Sequence, residues 1–137
     1  CSTIQAHQTG KKMKTLIDSS AWIAVLRPKG EQALRQEVDQ LLAGNNAAIT
    51  APIWCELYRG IRGKREEAQL HNLRSLCHWL DFDATCWELT AEHGRTCQRK
   101  GVNVPTSDLL IHCCAERYKT KLLHRDKHFE LIAKAVK

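Results

Sequence analysis

The stretch KTLIDSSAW, residues 14–22, decides the fold. Lys14 to Ile17 reads as a short strand, and Asp18 closes its apolar run Leu16-Ile17. Residues 20–26 then carry Trp22, Ile23 and Leu26 and read as a helix, with Asp18 or Ser19 available to cap it. A strand running straight into a helix, with a carboxylate at the junction, is the opening of a β-α-β chain.

Working outward, the alternation continues. Pro28-Lys29-Gly30 breaks the first helix, and residues 31–43 place Leu34, Val38, Leu41 and Leu42 on one helical face before the stop at Gly44. Ala47 to Thr50 reads as a second strand. Pro52 suits the first position of a helix, which is expected to run through Glu56 to Gly60–Gly63. Residues 64–79 form a helical face of Leu70, Leu73, Leu76 and Cys77, and the alternating Leu-Asp-Phe-Asp in 80–84 reads as a third strand. Thr85 is expected to cap a helix carrying Leu89, with Trp87 and Cys97 as further candidates for its inner face, that ends at Gly101. Pro105-Thr106-Ser107 opens another helix, residues 121–124 form a fourth strand, and 127–135 form the last helix. Such alternation implies an α/β fold, a three-layer α/β/α sandwich with a short central parallel sheet of four or five strands.

Met13 is the only methionine and reads as the natural start. Residues 1–12 are accordingly expected to be a leader or appended segment, poorly ordered, ahead of a single domain at 13–137. Of the 137 residues, 43% are hydrophobic and 26% charged, an ordinary globular composition that excludes a disordered chain. No apolar run is long enough to span a bilayer, so no membrane partner is expected. The 21 Lys and Arg against 15 Asp and Glu leave a net charge of +6, which favours an anionic partner such as nucleic acid. Seven cysteines without a Cys-x-x-Cys pair read as small buried hydrophobes, mostly on apolar helix faces, and point to the cytoplasm.

Four acids stand where core elements begin or end: Asp18, Glu56, Asp108 and Asp126. In a parallel sheet with helices on both faces, ligands sit beyond the carboxyl ends of the strands. Asp18 and Asp126 lie at those ends, and Glu56 and Asp108 in or near the first turn of a following helix. Each has a plain alternative as a helix cap, a dipole partner or, for Glu56, a partner of Arg59. Together they would repel, since two carboxylates about 4 Å apart cost roughly 4 kcal/mol at an effective dielectric near 20. A bound cation would relieve this, and an all-oxygen set suits Mg²⁺ or Mn²⁺ better than zinc. No glycine-rich phosphate loop is present, which argues against a nucleotide cofactor.

LIDSSAW (16–22), APIWCELYRGIRG (51–63), VPTSDLLIHCCA (104–115) and LLHRDKHF (122–129) together resemble the four signature blocks of PIN-domain ribonucleases, most of all VapC-type toxins of bacterial toxin–antitoxin pairs. The resemblance implies a PIN-like domain and a metal-dependent endoribonuclease inhibited by a small antitoxin. It implies Asp18, Glu56, Asp108 and Asp126 as catalytic and metal-binding residues, Mg²⁺ or Mn²⁺ as cofactor, Ser20 as a supporting hydroxyl, and a homodimer. His124 replaces the usual Thr or Ser before the last acid and is read as space-filling or as a hydrogen-bond partner of the site. His112 reads as a satisfied core histidine.

Arg59, Arg62, Lys64, Arg65 and Arg125 flank the acids and are expected to contact RNA phosphates. Trp22 and Trp54 read as core filling rather than as base-stacking platforms. An aspartyl-phosphate enzyme fits less well. Ser20 stands where a dehalogenase-type phosphatase needs a second Asp, and Asp18-Ser19 is not the acidic pair of a receiver. The remaining alternative is a catalytically weak PIN-like RNA-binding module.

Overall fold

The computed structural model describes residues 13–27 and 29–137; the leader expected at 1–12 and the helix-breaking Pro28 lie outside them. Four strands and seven helices alternate among the described residues. They are β1 (Thr15–Ile17), α1 (Ser19–Leu26), α2 (Gln32–Ala43), β2 (Ala47–Thr50), α3 (Ala51–Arg59), α4 (Lys64–Ser75), β3 (His78–Leu80), α5 (Ala84–Arg99), α6 (Thr106–Tyr118), β4 (Lys121–Leu123) and α7 (His128–Ala135).

The sheet runs β3-β2-β1-β4 with every neighbouring pair parallel, as the alternation predicts. Every residue of β1 and β2 is buried, which requires cover on both faces of the sheet. β1 carries β2 on one side and β4 on the other, so the strand order reverses beside it. A crevice at the carboxyl ends of β1 and β4 is the place such folds offer to a ligand.

The core gathers Leu16, Ile17, Trp22, Leu34, Ile53 and Ile111 around the sheet. A second, smaller cluster of Cys97, Leu109, Ile132 and Ala135 packs α5, α6 and α7 together. That cluster fixes where the starts of α6 and α7 stand, and therefore where Asp108 and His128 point.

Several boundaries differ from the sequence reading. The third strand is His78–Leu80 rather than 80–84, and α4 stops at Ser75. The register pairs Leu80 with Thr50, the last residue of β2, so no partner backbone exists for residues 81–84. Thr50 Oγ1 donates to the Leu80 carbonyl at 2.7 Å and closes that end. Asp83, not Thr85, caps α5 by accepting from the Cys86 amide at 3.1 Å. Pro52 is the second rather than the first residue of its helix. On α1, Ala21, Trp22 and Val25 face inward, whereas Ile23 and Leu26 are 45% and 54% exposed. Cys55 and Trp87 are exposed as well, against the apolar-face expectation, while Cys86, Cys97, Cys113 and Cys114 are buried free thiols.

Candidate active site

β1 ends at Ile17, and the chain turns at once into α1 with Asp18 as its N-cap. Asp18 Oδ2 accepts from the Ser20 amide at 3.0 Å and from the Ser20 hydroxyl. Its other oxygen, Oδ1, is buried without a partner, although the residue is only 3% exposed. The same Ser20 hydroxyl accepts the Arg125 amide at 2.9 Å and so ties the β1 turn to the loop after β4.

Asp108 stands in the first turn of α6 and is buried. Its Oδ2 also lacks a hydrogen bond, and His128 Nδ1 lies 3.3 Å from it. Asp126 follows β4, and its Oδ1 takes the His128 amide at 3.0 Å and meets His128 Nδ1 at 2.8 Å. One ligand atom each from Asp108, Asp126 and His128 lie within 4.8 Å of one another. Glu56 is on the second turn of α3, near its start, and accepts from the Ser19 hydroxyl at 2.8 Å. Asp108, Asp126 and His128 therefore gather at the switch point, Asp18 is tied to the same loop through Ser20, and Glu56 is tied to the β1 turn through Ser19.

Crowding shows in the proton affinities. Burial, a hydrogen bond with Asp126 and the charges of Asp126 and Asp18 push Asp108 up to about 7, against the opposing pull of His128. Asp126 goes the other way. Burial raises it, but the His128 amide, the hydrogen bond from Asp108 and the His128 ring together hold it below the usual carboxylate range. The two shifts run in opposite directions, as expected of neighbouring carboxyls whose charges compete.

This arrangement fits a hard divalent cation. Two buried carboxylate oxygens, on Asp18 and Asp108, have no donor to satisfy them, and a buried orphan of that kind is costly. A cation would supply what both lack, and oxygen donors are what Mg²⁺ and Mn²⁺ take.

His128 was not singled out from the sequence. The available signal was its place two residues after Asp126, where a helix begins. His124 lies beside the site: its Nδ1 accepts the Asp126 amide at 3.2 Å, and its ring packs on Phe129 at 4.8 Å. Arg59, Arg62, Lys64 and Arg65 are exposed at the α3–α4 hairpin, and none makes an ion pair among the described residues. Arg125 does: its Nε meets Glu31 at 2.9 Å. Trp22 is core, 2% exposed, while Trp54 is half-buried against Tyr58 and His71 with Arg74 over its ring.

The family model described as PIN domain matches residues 15–135 of this chain. The chain belongs to the PIN-domain family. Among curated relatives, Ribonuclease VapC11 of Mycobacterium tuberculosis is 32% identical over 123 residues, 87% of this chain and 91% of the relative. Among solved structures, a chain of FitAcB from Neisseria gonorrhoeae superposes with a TM-score of 0.74 at 19% identity, covering 88% of this chain and 93% of that one. A chain of DNA-bound VapBC from Salmonella typhimurium gives 0.73 at 20% identity, covering 87% and 92%. The superpositions establish that this sheet and its helices follow the PIN arrangement.

Proposed function

We propose that this PIN-domain protein is an endoribonuclease, the toxin of a toxin–antitoxin pair, which hydrolyses RNA phosphodiester bonds with the help of Mg²⁺ or Mn²⁺. The observation that carries the reading is the Asp108–Asp126–His128 cluster at the strand switch point, with Asp18 tied to the same loop and two buried carboxylate oxygens, on Asp18 and Asp108, left unsatisfied. Similarity to a curated VapC ribonuclease supports RNA as the substrate, and similarity to VapBC structures supports an antitoxin partner.

Asp18 and Asp108 are the primary ligands in this reading, with Glu56 and Asp126 binding directly or through water. A cation held there supplies neutralisation of the phosphate charge and acidity to water near neutral pH. The protein's own groups do the rest. Ser20 fixes the Asp18 carboxylate, and His128 fixes Asp126 against Asp108. Glu56 or Asp126 orients the attacking water and takes its proton. Arg59, Arg62, Lys64 and Arg65 offer exposed cations to the RNA backbone. Arg125 joins them once a phosphate displaces Glu31, because an exposed ion pair is worth at most about 1 kcal/mol.

The exposed Ile23 and Leu26 of α1 support a surface for a second chain, the antitoxin or another copy in a homodimer. The free cysteines fit a cytoplasmic setting. Among the described residues no helix is long and apolar enough to cross a membrane. The test is to sequence RNA ends that accumulate after brief expression of wild type and of Asp18→Asn. New ends present only with wild type support the reading; equal ends from both reject it.

A further inference from the structure

His112 reads from the sequence as a satisfied core histidine, but the fold sets a second imidazole and a carboxylate beside it. α5 packs along α6 and brings His93 to the same spot. His93 Nε2 lies 2.9 Å from Glu116 Oε1, and His112 Nε2 lies 3.7 Å from that same oxygen, with the two imidazole centroids 6.0 Å apart. The three ligand atoms all fall within 4.8 Å of one another.

We propose that His93, His112 and Glu116 form a second metal site, one that takes a borderline transition metal such as Zn²⁺ and is independent of the aspartate cluster. The donor chemistry separates the two. Two imidazoles and one carboxylate are a ligand set zinc adopts, whereas Mg²⁺ demands oxygen. The spacing agrees too. Ligands about 2.05 Å from a tetrahedral ion stand about 3.3 Å from each other, and the separations of the two imidazole nitrogens from Glu116 Oε1, 2.9 and 3.7 Å, fall on either side of that value.

The site is also prepared in other respects. His112 and Glu116 are one helical turn apart on α6, so the helix sets their spacing before any ion arrives. The side chains of His93 and His112 are only 16% and 17% exposed, which limits the freedom lost on binding, while Glu116 at 44% leaves a way in. His112 and Glu116 line a groove of about 430 Å³, which gives room for water at a fourth position. Burial, opposed by the Glu116 charge and joined by His93, lowers the proton affinity of His112, which favours the neutral ring that can ligate. Asp108 lies four residues before His112 on α6, about 6 Å along the axis. An ion clamping α5 to α6 would brace the helix that carries a nuclease acid.

The measurement is Zn²⁺ titration of the full chain by calorimetry, with millimolar Mg²⁺ present to fill the aspartate site. Wild type is expected to bind one Zn²⁺, and His93→Gln and Glu116→Gln should each weaken it at least tenfold. Asp126→Asn should leave it within threefold. Histidine side-chain ¹⁵N spectra of the unsubstituted protein provide a second readout free of folding artefacts, with Zn²⁺ expected to move the His93 and His112 signals. Equal Zn²⁺ affinity in wild type and both glutamine variants would overturn the proposal. So would shifts confined to His128, or binding lost only in Asp126→Asn.

Discussion

Asp108→Asn should make the metal-free protein more stable above pH 7 while removing RNA cleavage. The magnitude follows from the proton that Asp108 holds up to about 7 instead of the ordinary 3.8. That interval of about three pH units, at 1.36 kcal/mol each, amounts to about 4 kcal/mol of strain in the ionised folded protein. An unfolded chain releases the proton near 3.8, and the folded chain keeps it until about 7. Between those values the folded state binds more protons, so stability falls as pH rises and levels off above 7.

Asparagine has no charge to bury, and its amide can still donate to Asp126. Burying that amide offsets part of the gain, leaving a net of roughly 2 kcal/mol. For a chain of 137 residues this corresponds to a Tm about 8 °C higher at pH 8. Thermal melts in EDTA from pH 4 to 9 provide the assay. Wild type should lose stability across pH 4 to 7, and the variant should not. Millimolar Mg²⁺ should raise the wild-type Tm and leave the variant unchanged, since a bound ion stabilises by mass action. A variant less stable than wild type at pH 8, with a parallel pH slope, would refute the crowding argument.

Other consequences are simpler to state. His128→Gln removes the imidazole that pulls the proton affinity of Asp108, and of Asp126 beside it, downward, so the acid limb of the cleavage pH profile should move to higher pH; an unmoved limb would show that His128 does not govern these acids. Neutralising Arg59 and Arg62 together should reduce the salt dependence of RNA binding by a slope of about 1.4, two single-strand phosphate contacts, in filter-binding titrations. Gly30→Ala should lower stability by about 1–3 kcal/mol, read from urea melts, because a Cβ there would sit 2.2 Å from the backbone oxygen of Ala24. Arg125→Ala should leave stability within about 1 kcal/mol, since its pair with Glu31 is exposed.

The legible part of this site is the part written locally. Asp18, Asp108 and Asp126 each follow or begin a short apolar run, so periodicity placed them at element ends, and parallel strands share an edge. What escaped notice depends on distant residues. Leu80-Asp81-Phe82-Asp83 alternates like a strand, but β2 runs out at Thr50 and leaves it no partner. His128 acquires its role only because Cys97, Leu109 and Ile132 press α7 against α6. The Arg125–Glu31 pair joins positions 94 residues apart, and no local pattern announces it. His93 lies 23 residues from Glu116, and only the packing of α5 on α6 turns two unremarkable histidines into neighbours of one carboxylate.

β1 is made early, yet one of its two neighbours in the sheet is β4, and Ser20 waits for the amide of Arg125. During translation, then, the first acid emerges long before the strand and loop that bring Asp126 and His128 beside it. A growing chain cannot assemble this edge of the sheet while its later residues are still being made. The order of strands thus sets a sequence in time: the carboxylates share an edge only after the last strand and the loop behind it have been synthesised.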